Sequence, residues 1–380
     1  MLLLHLQHKF ANKYFGDNYA VIYKKQGQNP NEKKMAKPTI TPIVMNRDVA
    51  SDFLKEIQNS NVKPIEPVFL DFKKDLSQLK AKSGIPVLYK QNTSNDLFQL
   101  IYVFDMGNNN DKALGTAFDY IDYLGTSDMT PEQVKSEFYR LACNFRVSPG
   151  NERTYVVLSG LNENMPEAMK LFEKLMADAQ VNKEAYTNMV ADILKSRKDA
   201  KLNQMQNFRR LMNYGMYGPK SPATNILTET ELQTMDPQEL TDRIHNQNSY
   251  KHRIMYYGPT SEKELLAIIN KNHQAPKKLK EIPVGNEFPR LETPVTKVLI
   301  SPYEAKQIYM TQLSNRGEKF DPMIEPSRQM YNEYFGGGMN SIVFQEMRES
   351  RGLAYSAWAG LNRPSYSKYP YLLQTQIATQ

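Results

Sequence analysis

Hydrophobic positions along the chain follow two different periods. IPVLYK (85–90) and LFQLIYVFD (97–105) are short apolar runs separated by the turn residues NTSND, which predicts a pair of strands. Asn110 or Asp111 then caps a helix in which Leu114, Ala117, Phe118, Ile121 and Leu124 recur at helical spacing, and Gly125 ends it. Thr130-Pro131-Glu132-Gln133 reads as a capping box with Pro at the first helical position, followed by Val134, Phe138 and Leu141. TYVVLSG (154–160) is a strand. Asn164 and Pro166 open a helix with Leu171, Phe172, Leu175 and Met176 on one face, and Asn182 opens a long charged helix to about Asn213. Strands and helices come in clusters (β-β-α-α-β-α-α) and do not alternate strictly. That pattern predicts an α+β fold, an antiparallel sheet with helices packed on one face.

The flanks suggest repetition. Residues 8–27 read as a helix ending near Gly16 and a strand at Tyr19–Tyr23; residues 239–258 repeat the order of amphipathic helix, polar turn, apolar strand and Gly. Residues 26–67 are rich in Pro, Asn and Lys, with one short helix at Ser51–Ile57, and read as a linker. The segment 272–294 carries four prolines and reads as a second linker. Beyond it, TKVLIS (296–301) and KQIYMTQLS (306–314) are expected strands, with a helix over roughly 326–334 and an alternating run from Tyr366 to Gln380. The abrupt stop within that run predicts truncation inside a domain.

Composition narrows the class. A chain 40% hydrophobic and 11% aromatic is not disordered. No run reaches the ~20 apolar residues of a membrane span. MLLLHLQHKF lacks the basic start and small-residue cleavage site of a signal peptide. The single Cys143 excludes an intrachain disulfide framework and any multi-thiolate metal site, and it is expected to be an inert thiol among helix-core residues. The net charge of +7 comes from scattered basic residues, the densest run being Lys277-Lys278-Leu279-Lys280, so solvated faces explain it better than a nucleic-acid footprint. The 23 tyrosines suit a wet peptide-binding surface as well as ordinary cores.

Candidate chemistry is sparse. His5, His8, His245, His252 and His273 make no ligand set, and HExxH and HxxEH are both absent. There is no Gly-x-Ser-x-Gly elbow. Gly336-Gly337-Gly338 lacks the spacing of a phosphate loop; it reads either as a helix–helix turn or as backbone open to close approach. A helix over Asn340–Ser350, with Ile342, Val343 and Met347 facing in, ends at Gly352, and a strand begins in LAYSAWAGL. Arg348 and Tyr355 could then project into one cleft and offer two strong donors to a carbonyl or oxyanion. By spacing alone, Arg348 pairing with Glu346 or Glu349 beside a structural Tyr355 is the better reading.

The segment YFGGGMNSIVFQEMRESRGLAYS changes that balance. It resembles the signature of the second half of the pitrilysin/insulinase family of zinc metallopeptidases, the inverzincins. The resemblance implies four similar α+β modules forming two bowl-like halves around a peptide chamber. The first module of the family carries HxxEH and a distal Glu, which bind zinc and supply the base. The second half supplies a Gly-rich segment and an Arg and a Tyr seven residues apart, as Arg348 and Tyr355 are here. In DKALGTAFDYIDYLGT (111–126), where an active module shows HxxEH, this chain has Thr116, Phe118, Asp119, Tyr120 and Asp122 and no histidine, and the helix from 182 carries only Glu184 near its start.

On this resemblance, residues 1–27 are the tail of a second module and 28–67 a linker. Residues 68–271 are a third module degenerate at the zinc site, 272–294 a linker, and 295–380 a truncated fourth module of a bowl-shaped half. The implied function is the substrate-binding, non-catalytic half of a zinc metalloendopeptidase. Arg348, Tyr355, Gly336, Gly337 and Gly338 would lie near the substrate. No metal is expected on this chain, and zinc is expected in a missing N-terminal half that is its partner, in the same polypeptide or as a separate subunit. A non-enzymatic structural or peptide-binding subunit of the same fold is the alternative.

Overall fold

The computed structural model describes residues 2–17, 19–23, 27, 50–305 and 307–379. They fall into two units, Met1–Val68 and Phe69–Gln380. The first holds helices α1 (Leu2–Tyr14) and α2 (Asp52–Asn59). Ser51 caps α2 by accepting from the Leu54 amide, as its position before an amphipathic run predicts. The expected strand at 19–23 does not form: Ile22 and Tyr23 are almost fully exposed, and a strand without a paired edge has no ladder to hold it. Most of the expected linker, 28–49, lies outside the described residues.

The second unit is α+β, as expected. Strands β1 (Ser77–Lys80), β2 (Pro86–Gln91), β3 (Leu97–Phe104), β4 (Cys143–Pro149), β5 (Thr154–Leu161) and β6 (His252–Gly258) form one sheet in the order β1-β2-β6-β3-β5-β4. All neighbours are antiparallel except β2 and β6. β2 and β3 are therefore not the adjacent pair their closeness in sequence predicts. β6, arriving some 150 residues later, inserts between them and hydrogen-bonds to both. Cys143 opens a strand and does not sit in a helix, because α4 has already ended at Arg140.

Helices α3 (Leu114–Tyr120), α4 (Pro131–Arg140), α5 (Met165–Asp178), α6 (Lys183–Ala200), α7 (Gln204–Tyr217), α8 (Glu229–Thr234), α9 (Gln238–Asn246) and α10 (Glu262–Asn272) complete this module. The capping box at Thr130 and Gln133 forms as read. Alternate residues Phe98, Leu100, Tyr102 and Phe104 of β3, and Ile254 and Tyr256 of β6, face a core shared with Leu114, Phe118, Phe172, Met176, Leu240 and Leu265. The one long helix expected from 182 to 213 is two: Asn203 recaps the chain by accepting from the Gln206 amide, so α6 stops and α7 starts afresh.

Strand β7 (Ile308–Ser314), helices α11 (Glu325–Asn332) and α12 (Ile342–Phe344), and strands β8 (Ser356–Asn362) and β9 (Leu372–Thr379) follow. The strands form a separate antiparallel sheet, β7-β9-β8. The strand expected at 296–301 is absent: that run is extended, largely exposed and unpaired by any strand. Between α10 and β7 the chain is irregular yet stitched down, with Lys280 bridging to Ser249 and Lys251, Asn286 to Asn109, and Leu291 to Met216.

Candidate functional site

The Gly-rich segment follows α11 through a π-helical turn, Glu333–Gly337. Gly336 is buried, and its Cα side lies against β8: a β-carbon there would come within 2.2 Å of the Ala359 carbonyl oxygen. Gly337 and Gly338 are exposed. The local sequence thus uses its glycines in two ways, the first for close helix–strand approach and the other two at the open surface. Ser341 then caps α12, its Oγ accepting from the Phe344 amide at 3.4 Å.

A second π-helical turn, Gln345–Ser350, carries Arg348. Gly352 has a φ of +58°, in the left-handed region, and the Leu353 amide donates to the Met347 carbonyl. The chain doubles back on the turn it has just left and enters β8. The result brings Arg348 and Tyr355 together: the guanidinium carbon lies 5.5 Å from the centre of the Tyr355 ring and 4.9 Å from that of Phe344. Arg348 also comes within 3.7 Å of Glu349. Tyr355 is 78% exposed, so its hydroxyl faces open solvent. The helical residue Ile342, expected to face inward, is exposed, while Val343 and Met347 are half-buried.

The segment 111–126, where the resemblance expects a zinc motif to be missing, is largely core. Phe118 and Tyr120 are core residues, and the Tyr120 hydroxyl donates to the Asn182 carbonyl. Asp119 and Glu184 are exposed. Among the described residues no group of three or more His, Cys, Asp and Glu side chains could hold a metal ion. The residues present do not fit zinc.

Sequence reading missed a buried polar chain elsewhere in the module. Glu173 of α5, fully enclosed, accepts from Tyr102 Oη at 2.9 Å, Asn248 Nδ2 at 2.9 Å and the Gln274 amide at 3.1 Å, and meets His273 Nδ1 at 2.5 Å. His273 Nε2 meets His252 Nε2 at 2.8 Å, and His252 Nδ1 faces the Tyr250 carbonyl at 2.7 Å. The signal was available. Glu173 sits four residues after Met169 and three before Met176, on the apolar stripe, and His252 shares the inward period of Ile254 and Tyr256. Burial holds His252 down to about 4, the neighbouring His273 adding to the effect, while burial and the Glu173 carboxylate push the Tyr102 phenol well above its ordinary range.

A six-stranded sheet packed with helices is followed in the chain by a smaller sheet whose edge strand β8 packs against the Gly-rich turn and is preceded by the Arg348–Tyr355 pair. Residues 253–379 match the family model "Peptidase M16 inactive domain". No curated protein matches the chain significantly in sequence. Solved structures share the fold. The peptidase M16 inactive domain from Pseudomonas fluorescens is 16% identical, with a TM-score of 0.62 over 80% of this chain and 74% of that one. The periplasmic protease PqqL from Escherichia coli is 15% identical, with a TM-score of 0.69 over 100% of this chain and 39% of that one. A protease from Helicobacter pylori is 11% identical, with a TM-score of 0.62 over 80% and 75%. The chain therefore spans about two fifths of the length of PqqL. The match over residues 253–379 agrees with the resemblance read from the sequence there, and the neighbours agree with the expected α+β fold. Among the described residues, no helix is long and apolar enough to cross a membrane.

Proposed function

We propose that this chain is the substrate-binding, non-catalytic half of a zinc metalloendopeptidase of the pitrilysin/insulinase type, which hydrolyses peptides inside a chamber closed by an N-terminal half. What supports the reading is the pairing of Arg348 with an exposed Tyr355, together with the exposed backbone of Gly337 and Gly338, in a chain whose residues 253–379 match an inactive peptidase domain. A guanidinium and a phenol are both donors, and neither is a base or nucleophile at neutral pH. Together they can hold a peptide carbonyl and stabilise the oxyanion that forms from it, and they need the bond-breaking chemistry to come from elsewhere. Zinc and the general base are assigned to the N-terminal half, since the described residues of this chain do not fit the metal. Gly337 and Gly338 would let the substrate backbone approach; Gly336, under Ala359, serves packing.

The test is reconstitution. This chain mixed with, or fused to, the zinc-binding half should hydrolyse a flexible peptide far faster than that half alone. Equal rates with and without the chain would favour the second reading, a structural or peptide-binding subunit of the same fold. That alternative draws on the same observation, because a pair of donors with no metal of its own can bind without cutting.

A further inference from the structure

The segment that follows α10 is fastened to the module at its first two residues, His273 and Gln274, and both fastenings run through the buried chain of Glu173, His273 and His252. Downstream, Ala275, Leu279 and Ile282 pack against the core, Lys280 is bridged to Ser249 and Lys251, and Asn286 is tied to Asn109. This strap is the path by which the first sheet's module continues into the second sheet.

We propose that the His252–His273 contact is an acid-sensitive latch that fastens the 273–287 strap to the module. The geometry carries the argument. Two ring nitrogens 2.8 Å apart, both shielded from solvent, can hold one proton between them and not two. A metal ion does not explain the contact: two imidazole nitrogens each ~2.0–2.1 Å from one zinc in a tetrahedral site lie more than about 3 Å apart. His252 Nδ1 is committed as donor to the Tyr250 carbonyl, which leaves its Nε2 as the acceptor for His273. The groups facing the pair are Glu173 from α5, Tyr102 from β3 and the Tyr250 carbonyl; Asn248 and the Gln274 amide complete the shell around Glu173. Of these only the Glu173 carboxylate can take up a proton, and a proton arriving at His252 Nε2 itself puts two N–H groups face to face.

The direction follows from burial. His252 is depressed from 6.5 to about 4 in the folded chain. A released or unfolded His252 therefore binds a proton at a higher pH than the latched one. The latch is unpenalised above pH 6.5, weakens as pH falls through the window from 6.5 to about 4, and reaches its full penalty below it.

Hydrogen exchange of the full chain at pH 7.5 and 4.5, corrected for intrinsic rates, tests this. Amides of 273–287 should lose at least about tenfold in protection at pH 4.5, while those of β3 stay protected. In His252→Gln, which keeps an acceptor and cannot charge, the strap should be equally protected at both pH values. In His273→Gln, should the first variant not fold, the strap should be loose at both pH values with no acid step. Three results overturn the latch: no loss of protection at pH 4.5, simultaneous opening of β3, or an acid step that persists in either variant. The last would assign the release to Glu173.

Discussion

Arg348 lies over the ring of Tyr355, its guanidinium carbon 5.5 Å from the ring centre, although seven residues separate them. No regular helix or strand places residues i and i+7 in contact across a chain reversal. The contact exists because a π-helical turn ends at Ser350 and Gly352 turns the backbone through left-handed space. The stack itself contributes little to stability, about 0.5–1 kcal/mol at an exposed site. Its consequence is to keep a guanidinium and an exposed tyrosine next to each other.

Tyr355→Phe isolates the hydroxyl from the ring. The stack with Arg348 survives and the residue is exposed, so thermal unfolding of the chain should shift by no more than corresponds to ~0.5 kcal/mol. Turnover of a peptide by the reconstituted two-half enzyme should fall by about 10²–10³, the usual cost of one lost oxyanion donor. Arg348→Ala should lower it at least as far. Full activity in both variants would remove these residues from the site.

The three glycines should respond differently to alanine. At Gly336 the new β-carbon meets the Ala359 carbonyl oxygen at 2.2 Å and its nitrogen at 2.5 Å, both backbone atoms of a paired strand that cannot move aside. Gly336→Ala should cost about 1–3 kcal/mol or more. At Gly338 the nearest atom is Glu333 Oε2 at 4.0 Å, so Gly338→Ala should be within ~0.5 kcal/mol of the parent. Gly337→Ala, 2.8 Å from the Asn332 carbonyl oxygen, should fall between. Urea midpoints of the three variants check the order. Equal losses would mean that the Gly-rich turn is not packed on β8 as described.

Much of the fold was legible where the signal is local. Thr130 and Gln133 announce α4, and the alternation of Phe98, Leu100, Tyr102 and Phe104 announces an inward strand face. Pairing was not legible, because ladder partners are set by long-range closure: nothing near 85–105 reveals that β6 will part β2 from β3. The break at Lys201–Asn203 was missed because an Asn inside a polar helical run looks like any solvated position until its side chain turns back to cap α7. At the site, the Arg–Tyr spacing was visible, but local spacing favoured an ordinary ion pair. Phe344, the other ring around Arg348, drew no attention because an aromatic residue in a helix reads as core.

Purified alone, the chain should retain no stoichiometric zinc and cleave no peptide. The expectation rests on the described residues, among which no group of three or more His, Cys, Asp and Glu side chains could hold a metal ion: in 111–126 Phe118 and Tyr120 are core residues and Asp119 is exposed. Elemental analysis after dialysis against zinc checks it. One zinc per chain would contradict the assignment of the metal to the N-terminal half.

Glu173 should be the costliest single side chain of the first sheet's module to remove. Four hydrogen-bond partners from three separate segments converge on its two oxygens: Tyr102 on β3, Asn248 before β6, and His273 and Gln274 after α10 meet a carboxylate carried by α5. Glu173→Ala leaves the buried Tyr102 hydroxyl and Asn248 amide with nothing to accept from them, and strips His273 and the Gln274 N–H of their partner. Each buried donor left unsatisfied costs about 1–3 kcal/mol. Glu173→Leu should cost nearly as much despite filling the volume, because the stranded donors, not the cavity, dominate. Glu173→Gln keeps one acceptor and should be milder. An exposed control, Glu163→Ala, should stay within ~0.5 kcal/mol. The measurement is the urea midpoint at constant slope, which separates lost stability from a changed unfolded state. A Glu173→Leu variant as stable as the parent would mean that packing, and not the polar chain, holds the module together.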